Sequence, residues 1–174
     1  MRVTAVIGLI GAGLLMAGCG SGTVSGDADA EGTAAGEPVF SPCDDIPDDA
    51  VRSLGMDPAT ESRDIFGVEQ PGWKICEWHG SGPYLTVFST TYTLDDVRAN
   101  DSYTQFSDVQ VGGRVGLTYR KASENDGRTC EVALPSGQGA VLLSVAYLGV
   151  DAVTEDPCSV VERAARKFVE VIPD

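Results

Sequence analysis

Ala140-Val141-Leu142-Leu143-Ser144-Val145-Ala146-Tyr147-Leu148 is the stretch whose reading decides the fold. Successive side chains of a strand point to opposite sides of a sheet, and here both parities are apolar except at Ser144. Such a strand gains from burial only inside a sheet, so residues 140–148 are predicted to be its central strand. Just upstream, Asn125-Asp126-Gly127 is a turn signal, and Cys130, Val132 and Leu134 then share one face of a strand over 129–134. Pro135-Ser136-Gly137 separates the two strands.

Downstream lies the clearest helix. Asp156 suits the N-cap, Pro157 the first helical position, and Pro173 the end. Cys158, Val161, Ala165, Phe168 and Ile172 recur at helical spacing, with Glu162, Arg163, Arg166, Lys167 and Glu170 opposite them. A helix with one apolar stripe must lie on something, and the sheet is the large partner on offer.

Further upstream, residues 72–79 and 84–90 are aromatic and β-branched runs on either side of Gly80-Ser81-Gly82-Pro83, which reads as a hairpin. Residues 109–120 alternate at Val115, Leu117 and Tyr119, with Gly112-Gly113 marking a bulge or tight turn. Pro47 followed by Asp48 and Asp49 opens a short helix over 46–54, and Gly55 suits its exit. Thr93-Leu94-Asp95-Asp96 resembles a capping box with Asp in place of Glu, opening a helix to about residue 99. The order of elements predicts an α+β fold: an antiparallel sheet of about five strands, helices packed on one face, and two disulfides.

The first 37 residues have a different character. Arg2 and the amino group precede 14 apolar residues, too few for the roughly 20 of a spanning helix. Leu14-Leu15-Met16-Ala17-Gly18-Cys19 closes that run as a lipobox. The reading is a lipoprotein signal peptide over 1–18, with Cys19 as the lipidated first residue of the mature chain. A diacylglyceryl thioether plus an acyl chain on the amine supplies the two anchors that stable membrane attachment needs. Residues 20–37 hold one Val and no aromatic residue, a tether with a typical reach of roughly 23 Å. The globular domain is expected over 38–174.

Assigning Cys19 to lipid leaves Cys43, Cys76, Cys130 and Cys158, an even set that suits two disulfides in an exported domain. Three pairings are open, of which Cys43–Cys76 and Cys130–Cys158 are favoured as sequential closures tying a helix start to a strand. No C-x2-C spacing occurs and His79 is the single histidine, so no metal site and no cofactor is expected.

Removing Arg2 with the signal leaves 11 basic and 26 acidic residues, net −15, which disfavours nucleic acid as a partner. No P-loop, dinucleotide fingerprint or G-x-S-x-G elbow is present, and no catalytic residue is assigned. The pairs Asp44-Asp45, Asp48-Asp49 and Asp95-Asp96 lie near helix starts, where the macrodipole favours them. Trp73 and Trp78 fall on opposite parities. Trp78, sharing its face with Cys76, is expected in the core, and Trp73 is the candidate contact surface together with Arg114, whose fork suits an anionic group.

Phe40-Ser41-Pro42-Cys43, Gly72-Trp73-Lys74-Ile75-Cys76-Glu77-Trp78, Val111-Gly112-Gly113-Arg114 and Asp156-Pro157-Cys158 together resemble the actinobacterial lipoprotein family called domain of unknown function 3558. The resemblance implies a lipid-anchored envelope protein of a Gram-positive-type cell, with no catalytic residues to carry over. The expected role is a non-enzymatic binding or accessory module at the outer face of the plasma membrane, engaging an envelope protein or a small ligand. The alternatives are an envelope hydrolase using carboxylates such as Glu77 and Asp95, or a lipid carrier. Intact-mass measurement of the mature protein tests the framework: acyl chains on Cys19 and no free thiol at Cys43, Cys76, Cys130 or Cys158 are expected, and free thiols there would overturn the disulfide assignment.

Overall fold

The computed structural model describes residues 36–124, 126–150 and 152–174. Cys19, the signal segment and most of the tether lie outside the described residues. Seven strands form the sheet: β1 (Met56–Arg63), β2 (Trp73–Gly80), β3 (Tyr84–Thr90), β4 (Tyr103–Val111), β5 (Arg114–Lys121), β6 (Thr129–Ser136) and β7 (Gly139–Ala146). Their spatial order is β1-β2-β3-β7-β6-β5-β4, with every neighbour antiparallel. The apolar run at 140–148 supplies the fourth and central strand, as its pattern predicts. Each residue from Ala140 to Ala146 is registered against a residue of β3 on one side and of β6 on the other, the β6 pairing running from the hairpin at Ser136↔Gly139 to Thr129↔Ala146.

The sheet has seven strands rather than about five, and both additions are edge strands. β1 carries Asp57, Pro58, Glu61 and Arg63 with its side chains mostly exposed, and its register slips between Asp57 and Ser62. An edge strand protected by charge, proline and a bulge has no hydrophobic alternation to read. The second addition comes from Gly112-Gly113, which reverses the chain instead of bulging it. Gly112 takes φ +59°, and Val111 pairs Arg114 across the turn, so the expected single strand over 109–120 is two.

Among the described residues, four helices complete the fold: α1 (Pro42–Asp45), α2 (Asp48–Ser53), α3 (Leu94–Ala99) and α4 (Pro157–Phe168). α1 is an unanticipated single turn, and Pro47 stands at the N-cap of α2. The Thr93/Asp96 capping box is formed at α3, with Asp96 Oδ2 accepting from the Thr93 N–H at 2.7 Å. At α4 the Asp156 carboxylate accepts from the Ser159 N–H at 2.9 Å.

The helices do not all pack on one face. Cys76, Trp78, Leu85, Val87, Val132, Leu134, Leu143 and Val145 point to one side, where Val161, Ala165, Phe168 and Ile172 cover them beside Ile46, Ala50 and Val51. Trp78 is 1% exposed in this layer. The opposite parity presents Leu117, Tyr119, Ala133, Ala140 and Leu142, and there Val97 and Leu94 of α3 pack. Leu142 between Leu143 and Val141 needs a cover of its own, and six residues of α3 provide it.

Both disulfides lie on the α4 side. Cys43–Cys76 ties α1 to β2 and Cys130–Cys158 ties β6 to the first turn of α4, with Cα separations of 5.3 and 5.0 Å. The second closes a loop with a sequence separation of 28. The joint substitution Cys130→Ala/Cys158→Ala is therefore expected to lower stability by about 3–4 kcal/mol through the freed unfolded chain. Urea unfolding in the absence of reductant reads this as a fall in midpoint, and a loss under about 1 kcal/mol would contradict it.

Candidate functional site

α3 is too short to cover the sheet face on which it lies, and the remainder is walled by aromatic rings. Trp73, at the start of β2, meets Phe88 of β3 edge-on at 6.3 Å and leans on Tyr92 at 5.7 Å. Across the sheet Tyr103 and Phe106 of β4 both pack on Tyr119 of β5, at 4.7 and 5.7 Å. Residues 103 and 106 differ by an odd number, so a regular strand would send them to opposite faces. A bulge between Thr104 and Ser107, with Gln105 at φ +56°, inserts the extra residue that brings both rings to one side.

Two depressions result, sharing Trp73, Tyr103 and Leu142 as walls. One is an open groove of about 470 Å³ along α3, bordered by Tyr92, Val97 and Asn100. The other is a cavity of about 110 Å³ lined by Trp73, Phe88, Tyr103 and Tyr119, with Glu131, Ser144 and Lys121 at its polar end.

Glu131 is the residue that distinguishes this site. It projects from β6 on the Ala133 side, is 3% exposed, and accepts a hydrogen bond from Ser144 Oγ at 3.2 Å on Oε1. Its Oε2 is buried with no hydrogen-bond partner among the described residues. Burial pushes the carboxyl up to about 7, against the opposing pull of Lys121 and Ser144, with Glu124 adding to the rise. Burial also raises the Tyr103 and Tyr119 hydroxyls, so both rings stay neutral. On the same face, one strand pair away, Glu77 accepts from Thr86 Oγ1 at 3.0 Å, extending a polar row through Ser144 to Glu131.

A larger depression, about 570 Å³, lies elsewhere, between α1 and the segment joining β1 to β2. Its chemistry is already paired: Arg63 donates to both oxygens of Asp44, at 2.7 and 3.2 Å, and chiefly this hydrogen bonding holds the Asp44 carboxyl down at about 2. We therefore place the candidate site at the aromatic groove.

The chain belongs to the family described as Protein of unknown function (DUF3558). The family model matches residues 14–170. The chain matches no curated protein and no solved structure.

In this DUF3558 chain the sequence candidates separate. Trp73 stands in the wall common to groove and cavity. Arg114 stands apart, its guanidinium 14% exposed and donating to the carbonyls of Ile172 and Pro173 at 2.7 and 2.9 Å and to the Asp174 carboxylate at 2.6 Å. That fork clamps the segment after α4 to the sheet. His79 stacks on Tyr84 at 5.0 Å, and Asp95 lies exposed in the first turn of α3. Cys43, Cys76 and Glu61 come close together, but the two sulfurs are bonded to each other.

Sequence reading passed over Glu131 because Cys130, Val132 and Leu134 drew attention to the other parity. The signal was a lone charge on the inner side of a strand whose next same-face neighbour is Ala133. With its proton held to higher pH in the folded state than the usual ~4.3, Glu131 makes the folded chain bind more protons than the unfolded one across that window. Stability is expected to fall as pH rises from about 4.3 to 7, by on the order of 3 kcal/mol from this group. Glu131→Gln should abolish that component, read as the difference between wild-type and variant unfolding free energies against pH. A pH-independent difference would contradict it.

Proposed function

We propose that this chain is a lipid-anchored binding module of the cell envelope, held through Cys19 at the outer face of the plasma membrane, with the aromatic groove beside α3 as its ligand site. The observation that carries the reading is the site's composition: rigidly mounted rings from β2, β3, β4 and β5 around one buried carboxyl with an unoccupied oxygen. Large, stiff aromatic walls with few convergent polar groups are the make-up of a recognition pocket. The family match begins at Leu14 and so includes the lipobox, which supports anchorage, as does the disulfide framework of an exported domain.

A non-enzymatic role fits the same features. Among the described residues, Glu131 has no histidine or thiol beside it, Glu77 is engaged by Thr86, and Asp95 is spread over a helix start. The lipid-carrier alternative needs a large apolar chamber between sheet and helices. On the α4 side that space is filled by Val161, Ala165, Phe168 and Ile172, each 2% exposed or less.

Two measurements test the reading. Cys19→Ala should move the protein from the membrane pellet to the medium. Intact lipoprotein recovered from envelope membranes should carry a bound species that the Trp73→Ala/Tyr92→Ala variant retains at least about tenfold less well, the loss expected for anchoring aromatics. Equal retention by a folded variant would remove the groove as the site.

A further inference from the structure

We propose that the cavity enclosed by Trp73, Phe88, Tyr103 and Tyr119 over Glu131 receives an organic ammonium group, the cationic head of a small molecule whose body lies in the groove along α3. This rests on the binding reading above and names the ligand class.

The first argument is charge balance. Three charged side chains meet at the polar end of the site: Glu131 from β6, Lys121 from β5, and Glu124 from the segment after β5. Lys121 Nζ lies 3.3 Å from Glu124 Oε1. Among the described residues, neither Glu131 Oε2 nor Glu124 Oε2, both buried, has a donor. Arg120 contributes no donor here, because it reaches the Thr129 carbonyl at close range and the Cys158 sulfur at 3.2 Å on the α4 side. The Lys121 ammonium is paired with Glu124, Glu131 has no ion-pair partner among the described residues, and a buried oxygen left without a partner is a destabilising feature that a ligand donor relieves.

The walls select the kind of cation. Aromatic faces attract weakly hydrated organic cations, and the effect grows when water is excluded. Hard metal ions need six or more oxygen ligands, whereas the cavity offers the Glu131 carboxylate and the Ser144 hydroxyl. Anions are opposed by both carboxylates and by a chain with formal net charge −14, which raises the local concentration of cations instead. A volume of about 110 Å³ suits a head group, with the adjoining groove taking the rest.

The pH dependence follows from the groups that face Glu131: Lys121 and Tyr119 on β5, Glu124 beyond it, Tyr103 on β4 and Ser144 on β7. The tyrosines are held neutral by burial, so the switch in the working range is the Glu131 proton. An ammonium pairs with the ionised form, and affinity falls as pH drops, by up to about tenfold per unit below the Glu131 midpoint.

The test uses the full lipoprotein in mild detergent, titrated with choline and with n-butylammonium at constant ionic strength. The neutral isosteres 3,3-dimethyl-1-butanol and n-butanol serve as controls, and Trp73 emission with backbone NMR shifts reports binding. Saturable binding of at least one ammonium, about tenfold or more tighter than its isostere, is expected. Glu131→Gln should erase that preference and the pH dependence. Overturning results are equal affinity for ammonium and isostere, an unchanged preference in Glu131→Gln, or no saturable response to either ammonium. Equal binding that Trp73→Ala abolishes would remove the ammonium assignment while keeping the groove as a binding site.

Discussion

Everything in this fold depends on β7 being apolar on both sides. Val141, Leu143 and Val145 face α4, while Ala140 and Leu142 face α3. Burying a side chain of this size stabilises by about 1.5–3 kcal/mol, so neither face can be left to water. The hairpin to β6 and the pairing with β3 then place β7 at the centre, and the remaining strands extend the sheet outward from it. The two covers are unequal. On one side a twelve-residue helix is stapled to β6 by one disulfide, and a second disulfide ties α1 to β2 on the same side. On the other a six-residue helix leaves much of the sheet to aromatic rings. The groove is a consequence of that inequality.

How much of this was legible depends on where each element lies. The central strand, the capped start of α4 and the α3 capping box carry strong local signals and stand where the sequence puts them, whereas α4 ends at Phe168, ahead of the expected stop at Pro173. The opposed parities of Trp73 and Trp78 also hold, one at the groove and one fully buried. Edge strands carry no such signal. β1 pairs on one side, so its polar residues incur no penalty, and nothing distinguishes it from loop until its partner is known. Gly112-Gly113 is compatible with a bulge or a reversal, and only the pairing of Tyr103–Val111 with Arg114–Lys121 selects the reversal. The side on which α3 lies was contained in Leu142, since an apolar residue between Val141 and Leu143 already demands a second cover.

The site was less legible than the fold for a related reason. Its walls come from β2, β3, β4 and β5, and two of its rings reach one face only because a bulge at Gln105 breaks strand parity. No periodicity in the sequence announces that break. Arg114 shows the reverse case, where a side chain suited to an anion is used to hold the carbonyls of Ile172 and Pro173. A donor-rich fork next to a chain segment that would otherwise peel away serves the scaffold.

Glu131 remains the residue that packing alone does not explain. An apolar side chain between Thr129 and Ala133 would remove a titrating group from the sheet interior and spare its desolvation, which is often neutral or stabilising when a buried charge is replaced. Instead the chain keeps a carboxyl with one oxygen held by Ser144 and the other unpartnered, inside an aromatic enclosure. Local conflicts of this kind concentrate where a protein meets a ligand, because the cost carried by the free chain is returned when a complementary group arrives. A carboxyl whose midpoint is pushed to about 7 is also poised: it can stay neutral while the cavity is empty and ionise when a cation enters. The same desolvation that destabilises the empty site thus sharpens its preference for the occupant that cancels it.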